Sequence, residues 1–174
     1  FLYKVGMKQK PEYDPNAGKT FLHPGRQANV VYDGTVIGYL GEVHPTVASN
    51  YSIKDRVYVA VIDMPEIVSR ASFDYKYEGI AKFPAATRDI SMIVPKDVLA
   101  GDIEKVFETK GGKLLESYQL FDIYEGAQIK SGYKSIAYSL AFRAKDRNLE
   151  EADITGAMNK IVKALEAMGA ELRK

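Results

Sequence analysis

Three residues of the sequence carry the side chains needed to bind an unpaired nucleotide base: Tyr124, Ser91 and Ser135. Each falls in a segment that alternates like a β-strand, and the alternation places all three on one face of a sheet. A tyrosine ring can stack on a base, while short hydroxyl groups can hydrogen-bond the base edge. A tyrosine near a strand end more often only packs against its neighbours, so the pattern alone leaves both interpretations open.

Three basic residues, Arg88, Lys134 and Arg143, lie in or beside the same predicted strands. Their charged groups could contact the phosphates of a nucleic acid. Isolated basic residues are more often simply solvated. The chain has 24 Lys and Arg against 23 Asp and Glu, a net charge of +1. Any contact with nucleic acid must therefore come from local placement and not from a basic tail.

The sequence offers little for catalysis or metal binding. His23 and His44 each precede a proline, and no Cys or group of carboxylates joins them at a ligand-like spacing. Gly38 and Gly41 lack the Lys-Ser/Thr of a phosphate-binding loop. No Ser, His and Asp form a nucleophile elbow, and no pair of acids is placed as a general acid and base. We predict no catalytic residue, no cofactor and no metal bound by this chain.

Composition and chain ends give further expectations. The 174 residues include no Cys, which excludes disulfides and fits a reducing cytosol. No apolar run approaches the roughly 18 residues that span a bilayer. The start, residues 1–4, has neither an initiator Met nor a signal-peptide pattern, which is typical of a piece cut from a longer chain. We expect a cytoplasmic protein that has no membrane partner.

The first half of the sequence indicates short strands and turns. Asp33 and Gly34 separate two apolar runs and predict a hairpin with a type I′ turn. Pro45 is suited to open a short helix through Tyr51. Residues 57–64 are β-branched and continuous enough for a buried strand, and a helix follows over residues 66–70. We expect a small mixed domain over residues 1–75 and a linker over residues 76–84.

The second domain, residues 85–174, alternates between strand and helix patterns. Strands are predicted over residues 88–94, 114–124, 135–143 and 170–173. A helix between the first two carries an apolar stripe made of Ile103, Val106 and Phe107. A second helix begins at a capping box formed by Asn148 and Glu151, and its apolar face holds Ile154, Met158, Ile161, Val162, Leu165 and Met168. This order predicts an α+β, ferredoxin-like βαββαβ domain.

The predicted strands have one bulky face and one face of small or polar residues. The bulky set comprises Ile90, Met92, Val94, Ile136, Tyr138, Leu140 and Phe142, with Phe121 and Ile123 of the second strand assigned to it. We expect the helices to cover this set, since burying each such side chain contributes about 1.5 to 3 kcal/mol. The other face, with Ser91, Asp122, Tyr124 and Ser135, is predicted to stay open.

Three ordered blocks of this domain resemble a known family. Residues 83–91 (FPAATRDIS), 120–126 (LFDIYEG) and 134–137 (KSIA) resemble the ferredoxin-fold anticodon-binding domain of phenylalanyl-tRNA synthetase beta subunits. Upstream, residues 22–28 (LHPGRQA) and 38–45 (GYLGEVHP) resemble the end of the inactive, synthetase-like module that precedes it in that family. The resemblance covers nearly the whole chain.

The resemblance implies partners and site residues. It implies a class II synthetase of two alpha and two beta subunits, in which the alpha subunit activates phenylalanine with ATP and Mg and the beta subunit recognises tRNA(Phe). In the family the first anticodon base stacks on the strand-end tyrosine, here Tyr124, and meets small residues at positions matching Ser91 and Ser135. Arg26 is assigned a structural or subunit-interface role, because the module that resembles this part of the chain is inactive.

Two other functions share the same strand and helix order. One is a regulatory ferredoxin-like domain that binds a small ligand, which needs a concave pocket with Gly-rich turns; the turn over residues 98–101 has one Gly. The other is an assembly module, in which the first domain docks a partner subunit.

Overall fold

The computed structural model describes residues 1–74, 77 and 79–173. The chain divides into two compact units, Phe1–Glu78 and Gly79–Lys174. The predicted linker at residues 76–84 includes Lys76 and Glu78, which lie outside the described residues. The predicted domain limits therefore stay predictions, and each unit is described by itself.

The first unit is built around a four-stranded sheet with the order β1-β2-β3-β4. Its elements are a 3₁₀ turn at Leu2–Val5, β1 (Glu12–Asp14), β2 (Leu22–Tyr32), β3 (Thr35–Val43), α1 (Pro45–Asn50), β4 (Tyr58–Ile62) and α2 (Met64–Arg70). The predicted hairpin is confirmed as the β2–β3 connection, where Asp33 and Gly34 have φ angles of 49° and 70°. Two successive positive φ values are what a type I′ turn requires.

The strand predicted over residues 57–64 is present but not buried. It is β4, an edge strand paired on one side with β3. Tyr58 is 66 % exposed and Val61 is 46 % exposed. A continuous apolar run predicts a fully covered strand only when elements pack on both of its faces, and the described residues supply no such cover for β4.

The helix ends of this unit also differ slightly from the prediction. Helix α1 stops at Asn50, with Tyr51 as its C-cap. Helix α2 starts two residues earlier than predicted, because the Asp63 carboxylate accepts a hydrogen bond from the Glu66 amide and so caps the first turn.

The second unit has the strand and helix order predicted from sequence. Its elements are β5 (Ala86–Pro95), α3 (Ala100–Lys110), a 3₁₀ turn at Gly112–Leu114, β6 (Leu115–Tyr124), β7 (Tyr133–Phe142), α4 (Glu151–Ala167) and β8 (Glu171–Leu172). The sheet order is β6-β7-β5-β8, with every neighbouring pair antiparallel. This is the ferredoxin-like arrangement, in which the outer strands come second and last along the chain.

The core of the second unit lies between one face of the sheet and the two helices. Its buried residues are Ile90, Met92, Val94, Ile103, Phe107, Ile136, Tyr138, Leu140, Phe142, Ile154, Ile161, Leu165 and Ala170. Phe107 of α3 lies at its centre, with ring centroids 4.9 Å from Tyr138 and 5.5 Å from Tyr118. The predicted bulky faces of β5 and β7 are thus confirmed as the helix-covered faces.

Two local predictions for this unit are wrong. The capping box of α4 uses Glu150 and Asp153, not Asn148 and Glu151: each side chain accepts a hydrogen bond from the backbone of the other. The shift of the box follows from Arg147, which forms an ion pair with Asp153 and so favours that carboxylate as the capping group.

The other wrong prediction is the placement of Phe121. This side chain is 57 % exposed and lies outside the core. The register of β6 against β7 shifts between Leu120 and Asp122, so that Phe121 is the extra residue of a β-bulge. The residues of β6 that pack against the core are instead Tyr118 and Leu120. Ile123, which was also predicted to be covered, pairs with the inward Ile136 but is 51 % exposed, so the helices do not cover it.

Candidate nucleic-acid interface

The sheet of the second unit has one face opposite its helices, which we call the outer face. Strand pairing fixes two rows across it. Tyr124 pairs with Ser135, which pairs with Ile93. Asp122 pairs with Ala137, which pairs with Ser91. The structure therefore brings Tyr124 and Ser135 side by side and places Ser91 in the adjacent row, two strands from Tyr124.

Accessibility differs among the three residues predicted to bind a base. Tyr124 is 42 % exposed, and Ser91 is half-buried. Ser135 is only 5 % exposed. It lies on a central strand between the larger side chains of Tyr124 and Ile93, and the Cβ atoms of residues paired across strands are about 5 Å apart. The exposed surface of the site is therefore mainly the tyrosine ring.

Because Gly126 has no side chain, the Tyr124 ring can lie close to the backbone of the following loop. A Cβ built on Gly126 would lie 2.2 Å from Oη and 2.5 Å from Cζ of Tyr124. Such distances are far below van der Waals contact, so any side chain at residue 126 would displace the ring. Sequence reasoning missed this role, although Gly126 stands two residues after Tyr124 in the LFDIYEG block.

The loop after Tyr124 is also tied to the end of β5. Glu125 forms a salt bridge of 2.8 Å with Lys96. The Lys96 amide donates to the Gly132 carbonyl at 3.0 Å, and the ammonium group of Lys134 donates to the Lys96 carbonyl at 2.9 Å. These contacts fix both ends of the β6–β7 loop beside the tyrosine.

The three predicted phosphate-binding residues are not brought together. Arg88 shares the helix-covered face with Ile90, and its guanidinium donates to Glu151 of α4 at 2.5 Å. Lys134 has the same parity as Ile136 and so starts on that face as well. Arg143 follows the inward Phe142 and lies on the outer side, where it is bound to Glu116 at 2.9 Å and to the Phe83 carbonyl at 2.5 Å.

A pocket in the first unit is lined by His23 and Arg26, for which the sequence indicates no metal-binding or catalytic role. It has a volume of about 230 Å³, and His23, Arg26, Glu42, Lys54, Asp55 and Arg56 are among its lining residues. Glu42 is 3 % exposed, and both of its oxygens accept from Nη1 of Arg26 at 2.8 and 2.9 Å. Burial raises the pKa of Glu42, but the hydrogen bonds and charge of Arg26, with Arg56 and Tyr58, outweigh burial and hold that pKa below its ordinary value. Arg26 therefore neutralises a buried carboxylate, which is a structural role.

Within residues 1–74, 77 and 79–173, no group of three or more His, Asp or Glu is arranged to hold a metal ion. In the same part of the chain, no helix is both long and apolar enough to cross a bilayer.

The fold and the outer face define a class: a ferredoxin-like α+β domain whose sheet presents an aromatic platform. The chain belongs to the family of ferredoxin-fold anticodon-binding domains, whose model matches residues 81–173. A second model, described as the phenylalanyl-tRNA synthetase beta chain CLM domain, matches residues 1–64. The family resemblance inferred from the sequence blocks is thereby confirmed.

Curated relatives match nearly the whole chain. The phenylalanine–tRNA ligase beta subunit of Clostridium acetobutylicum is 42 % identical over 165 residues, covering 94 % of this chain and 21 % of the relative. That of Streptococcus pyogenes serotype M1 is 42 % identical over 170 residues, covering 97 % and 21 %. That of Bacillus licheniformis is 36 % identical over 165 residues, covering 95 % and 20 %. The chain thus spans about a fifth of the length of these relatives.

Proposed function

We propose that this chain recognises the anticodon arm of tRNA(Phe) as part of the beta subunit of a phenylalanine–tRNA ligase, and that it performs no chemistry itself. The family match over residues 81–173 and the beta-subunit names of the relatives support the ligand. The observation that carries the proposal is the outer face, on which Tyr124 is 42 % exposed beside the small Ser135 and Ala137.

The physical basis is the stacking of an unpaired base on an accessible ring. Bases of an anticodon loop are unstacked enough to be bound one at a time, which is how proteins read single-stranded RNA. Ser135 and Ala137 beside Tyr124 are 5 % and 6 % exposed, so a base would contact the exposed part of the ring and not these side chains. One base–aromatic stack contributes about 1 to 3 kcal/mol, so a single tyrosine can supply a measurable part of the affinity.

The proposal assigns the remaining chemistry elsewhere. ATP and Mg would act in the alpha subunit of an assembly with two alpha and two beta subunits, in the cytoplasm where tRNA is charged. This chain would bind neither. Its contribution would be to hold the tRNA in register, which is a positioning role.

The test is a titration of a labelled anticodon stem-loop of tRNA(Phe) against this protein and its Tyr124→Ala variant. We expect the variant to bind about 1 to 3 kcal/mol more weakly. Tyr51→Ala is the matched control, since it removes the same kind of ring from a 76 % exposed position in the first unit. A stem-loop from a different tRNA shows whether the face prefers the phenylalanine anticodon. Equal affinity of folded Tyr124→Ala and wild type would reject the tyrosine as the platform.

A separate observation favours a second role for the first unit, as a docking surface for the alpha subunit. Strand β4 and helix α2 carry five exposed apolar side chains: Tyr58, Val61, Ile62, Met64 and Val68. A concentration of apolar residues on one edge of a small unit is typical of a protein–protein interface. This surface makes assembly an addition to, and not a replacement for, RNA recognition.

Co-purification tests the docking role. We expect Val61→Asp to reduce recovery of the alpha subunit when both subunits are expressed together, because an interfacial carboxylate would be buried without a partner. Leu99→Asp, at a 44 % exposed residue of the second unit, should not. Undiminished recovery with folded Val61→Asp would exclude this edge as the contact.

A further inference from the structure

Phe121 is the most exposed of the large apolar and aromatic side chains on β6, the strand that carries Tyr124. Its side chain is 57 % exposed, whereas Leu120 next to it packs against the core. A phenylalanine left in water at a strand position gains little of the free energy that its burial would give. Its place on the sheet therefore calls for a partner outside the core.

Regular alternation after Leu120 decides which face Phe121 occupies. Leu120 pairs with the inward Tyr138, so the next residue projects to the outer face. The register then shifts, and Asp122 pairs with Ala137, which also lies on the outer face. Two consecutive residues, Phe121 and Asp122, thus stand on the outer face opposite a single partner, as a bulge allows.

The same bulge is what turns Tyr124 outward. Tyr118 and Leu120 are inward, and unbroken alternation from them would carry Tyr124 inward too. With one residue added, Tyr124 instead pairs with Ser135 on the outer face. The bulge therefore adds Tyr124 to the face that already holds Phe121, and bulges that re-aim side chains are enriched beside functional sites.

The two rings are separated by a distance suited to neighbouring nucleotides. Phe121 and Asp122 stand in the row of Ala137, and Tyr124 stands in the row of Ser135, two residues along β7. Rows two residues apart lie about 6.6 Å from each other, close to one step of an extended single strand. The carboxylate of Asp122 disfavours a phosphate in the first row, so a base and not the backbone would face Phe121.

We propose that Phe121 is a second stacking platform, which binds the unpaired base next to the one stacked on Tyr124. This inference rests on the proposed RNA recognition and extends it from one base to two consecutive bases on the outer face. Sheets that stack two bases on two aromatic residues are an established solution for single-stranded RNA. An aromatic platform is tolerant of base identity, so Phe121 would add affinity more than sequence preference.

The test uses anticodon stem-loops of tRNA(Phe) in which 2-aminopurine replaces each loop base in turn. Titration with wild type should change the fluorescence at two adjacent loop positions. Phe121→Ala should abolish the change at one of them and weaken binding about 5- to 150-fold, the equivalent of one stack. Phe121→Leu, which keeps an apolar side chain but removes the ring, should also weaken binding. Phe121→Tyr, which keeps a ring, should bind as tightly as wild type.

The control is Ile123→Ala, which removes a 51 % exposed apolar side chain of the same strand that pairs with Ile136. It should leave the RNA affinity unchanged. If Tyr124→Ala weakens binding while Phe121→Ala and Phe121→Leu do not, the second platform is overturned and the proposed function stands. If wild type itself gives no binding and no fluorescence change, both proposals fail. Loss of alpha-subunit recovery with unchanged RNA affinity would show Phe121 to be a protein contact and would also overturn the inference.

Discussion

The ring of Tyr124 occupies the space that a side chain at Gly126 would fill. A Cβ on Gly126 would lie 2.2 Å from Oη and 3.0 Å from Cε1 of the tyrosine. The glycine is needed here for room and not for a left-handed backbone, since Gly126 is not among the glycines with positive φ. The position of the proposed platform is thus set by a residue that makes no side-chain contact of its own.

Gly126→Ala is expected to weaken RNA binding without unfolding the domain. The added methyl group meets the free end of a side chain, so the Tyr124 ring can move aside at little cost to the fold. A displaced ring loses part of its stack, and we expect a reduction in affinity of up to about 1 to 3 kcal/mol. Stem-loop titration measures it, and circular dichroism checks the fold.

Gly156→Ala is the matched control for that change. Gly156 lies in α4, and a Cβ there would meet nothing within 4 Å. Alanine is the better helix former by about 1 kcal/mol, so this variant should be at least as stable as wild type and bind RNA equally well. Unaltered affinity in Gly126→Ala would mean that the ring is not held by that glycine in the complex.

The three basic residues of the site are expected to differ in their contribution to RNA binding. Arg143 lies on the outer side, whereas Arg88 and Lys134 start on the helix-covered face and bond to Glu151 and the Lys96 carbonyl. A residue that contacts one phosphate contributes about 0.7 to 0.9 to the slope of log affinity against log salt. Arg143→Gln should lower the slope by that amount, and Arg88→Gln and Lys134→Gln should not. If the slope of Arg143→Gln equals that of wild type, Arg143 does not contact a phosphate at this interface.

Periodicity predicted the regular parts of the second unit well. In β5 and β7 every other residue is large and apolar, and the structure buries Ile90, Met92, Ile136 and Leu140 against the helices. These residues carry enough burial free energy to fix the register, because a slip of one residue would expose the whole set. The family resemblance followed from motif blocks and not from periodicity.

The sequence could not predict features that depend on one extra residue in a strand or on the absence of a packing element. Alternation with Phe121 and Ile123 as inward residues predicts that Tyr124 lies on the outer face, yet Phe121 is outward. Tyr124 nevertheless lies on the predicted face, because the bulge shifts the inward and outward alternation of β6 by one residue. A bulge has no signal in an alternating pattern, since apolar residues at 120, 121 and 123 fit either register. The edge position of β4 could not be predicted for a similar reason. An apolar run predicts a buried strand, but the run does not show whether other elements pack against that strand.

The start of α4 should lose stability in acid. The hydrogen bonds and charge of Arg147, with the amide of Glu150, lower the pKa of Asp153 to about 2. A carboxyl with a lowered pKa in the folded state stabilises it above its ordinary value of 3.8, and this contribution is lost as the pH falls toward 2. We expect the stability difference between wild type and Asp153→Asn to be largest near pH 6, to fall steeply between pH 4 and pH 2, and to vanish below pH 2.

Amide hydrogen exchange in α4, measured from pH 6 downward after correction for the intrinsic rates, follows this loss directly. Asp97→Asn, in the turn after β5, is the control and should leave the exchange of α4 unchanged. A wild-type advantage that persists undiminished at pH 2 would show that the ion pair does not control the helix start.

Phe107 of α3 should be essential to the stability of the second unit. Its side chain is fully buried, and its ring lies 4.9 Å from that of Tyr138 in an edge-to-face arrangement. Replacing it with alanine removes the transfer free energy of the ring and leaves a cavity between α3 and the sheet, which together cost about 3 to 5 kcal/mol. Amide exchange in β5 and β7 reports this unit separately from the first, so Phe107→Ala should accelerate their slowest amides by about 150- to 5,000-fold. Phe73→Ala, at a 74 % exposed residue of the first unit, should not change them. Slow exchange retained in Phe107→Ala would show that the helices hold the sheet without this ring, and the outer face would then owe its rigidity to β-sheet pairing alone.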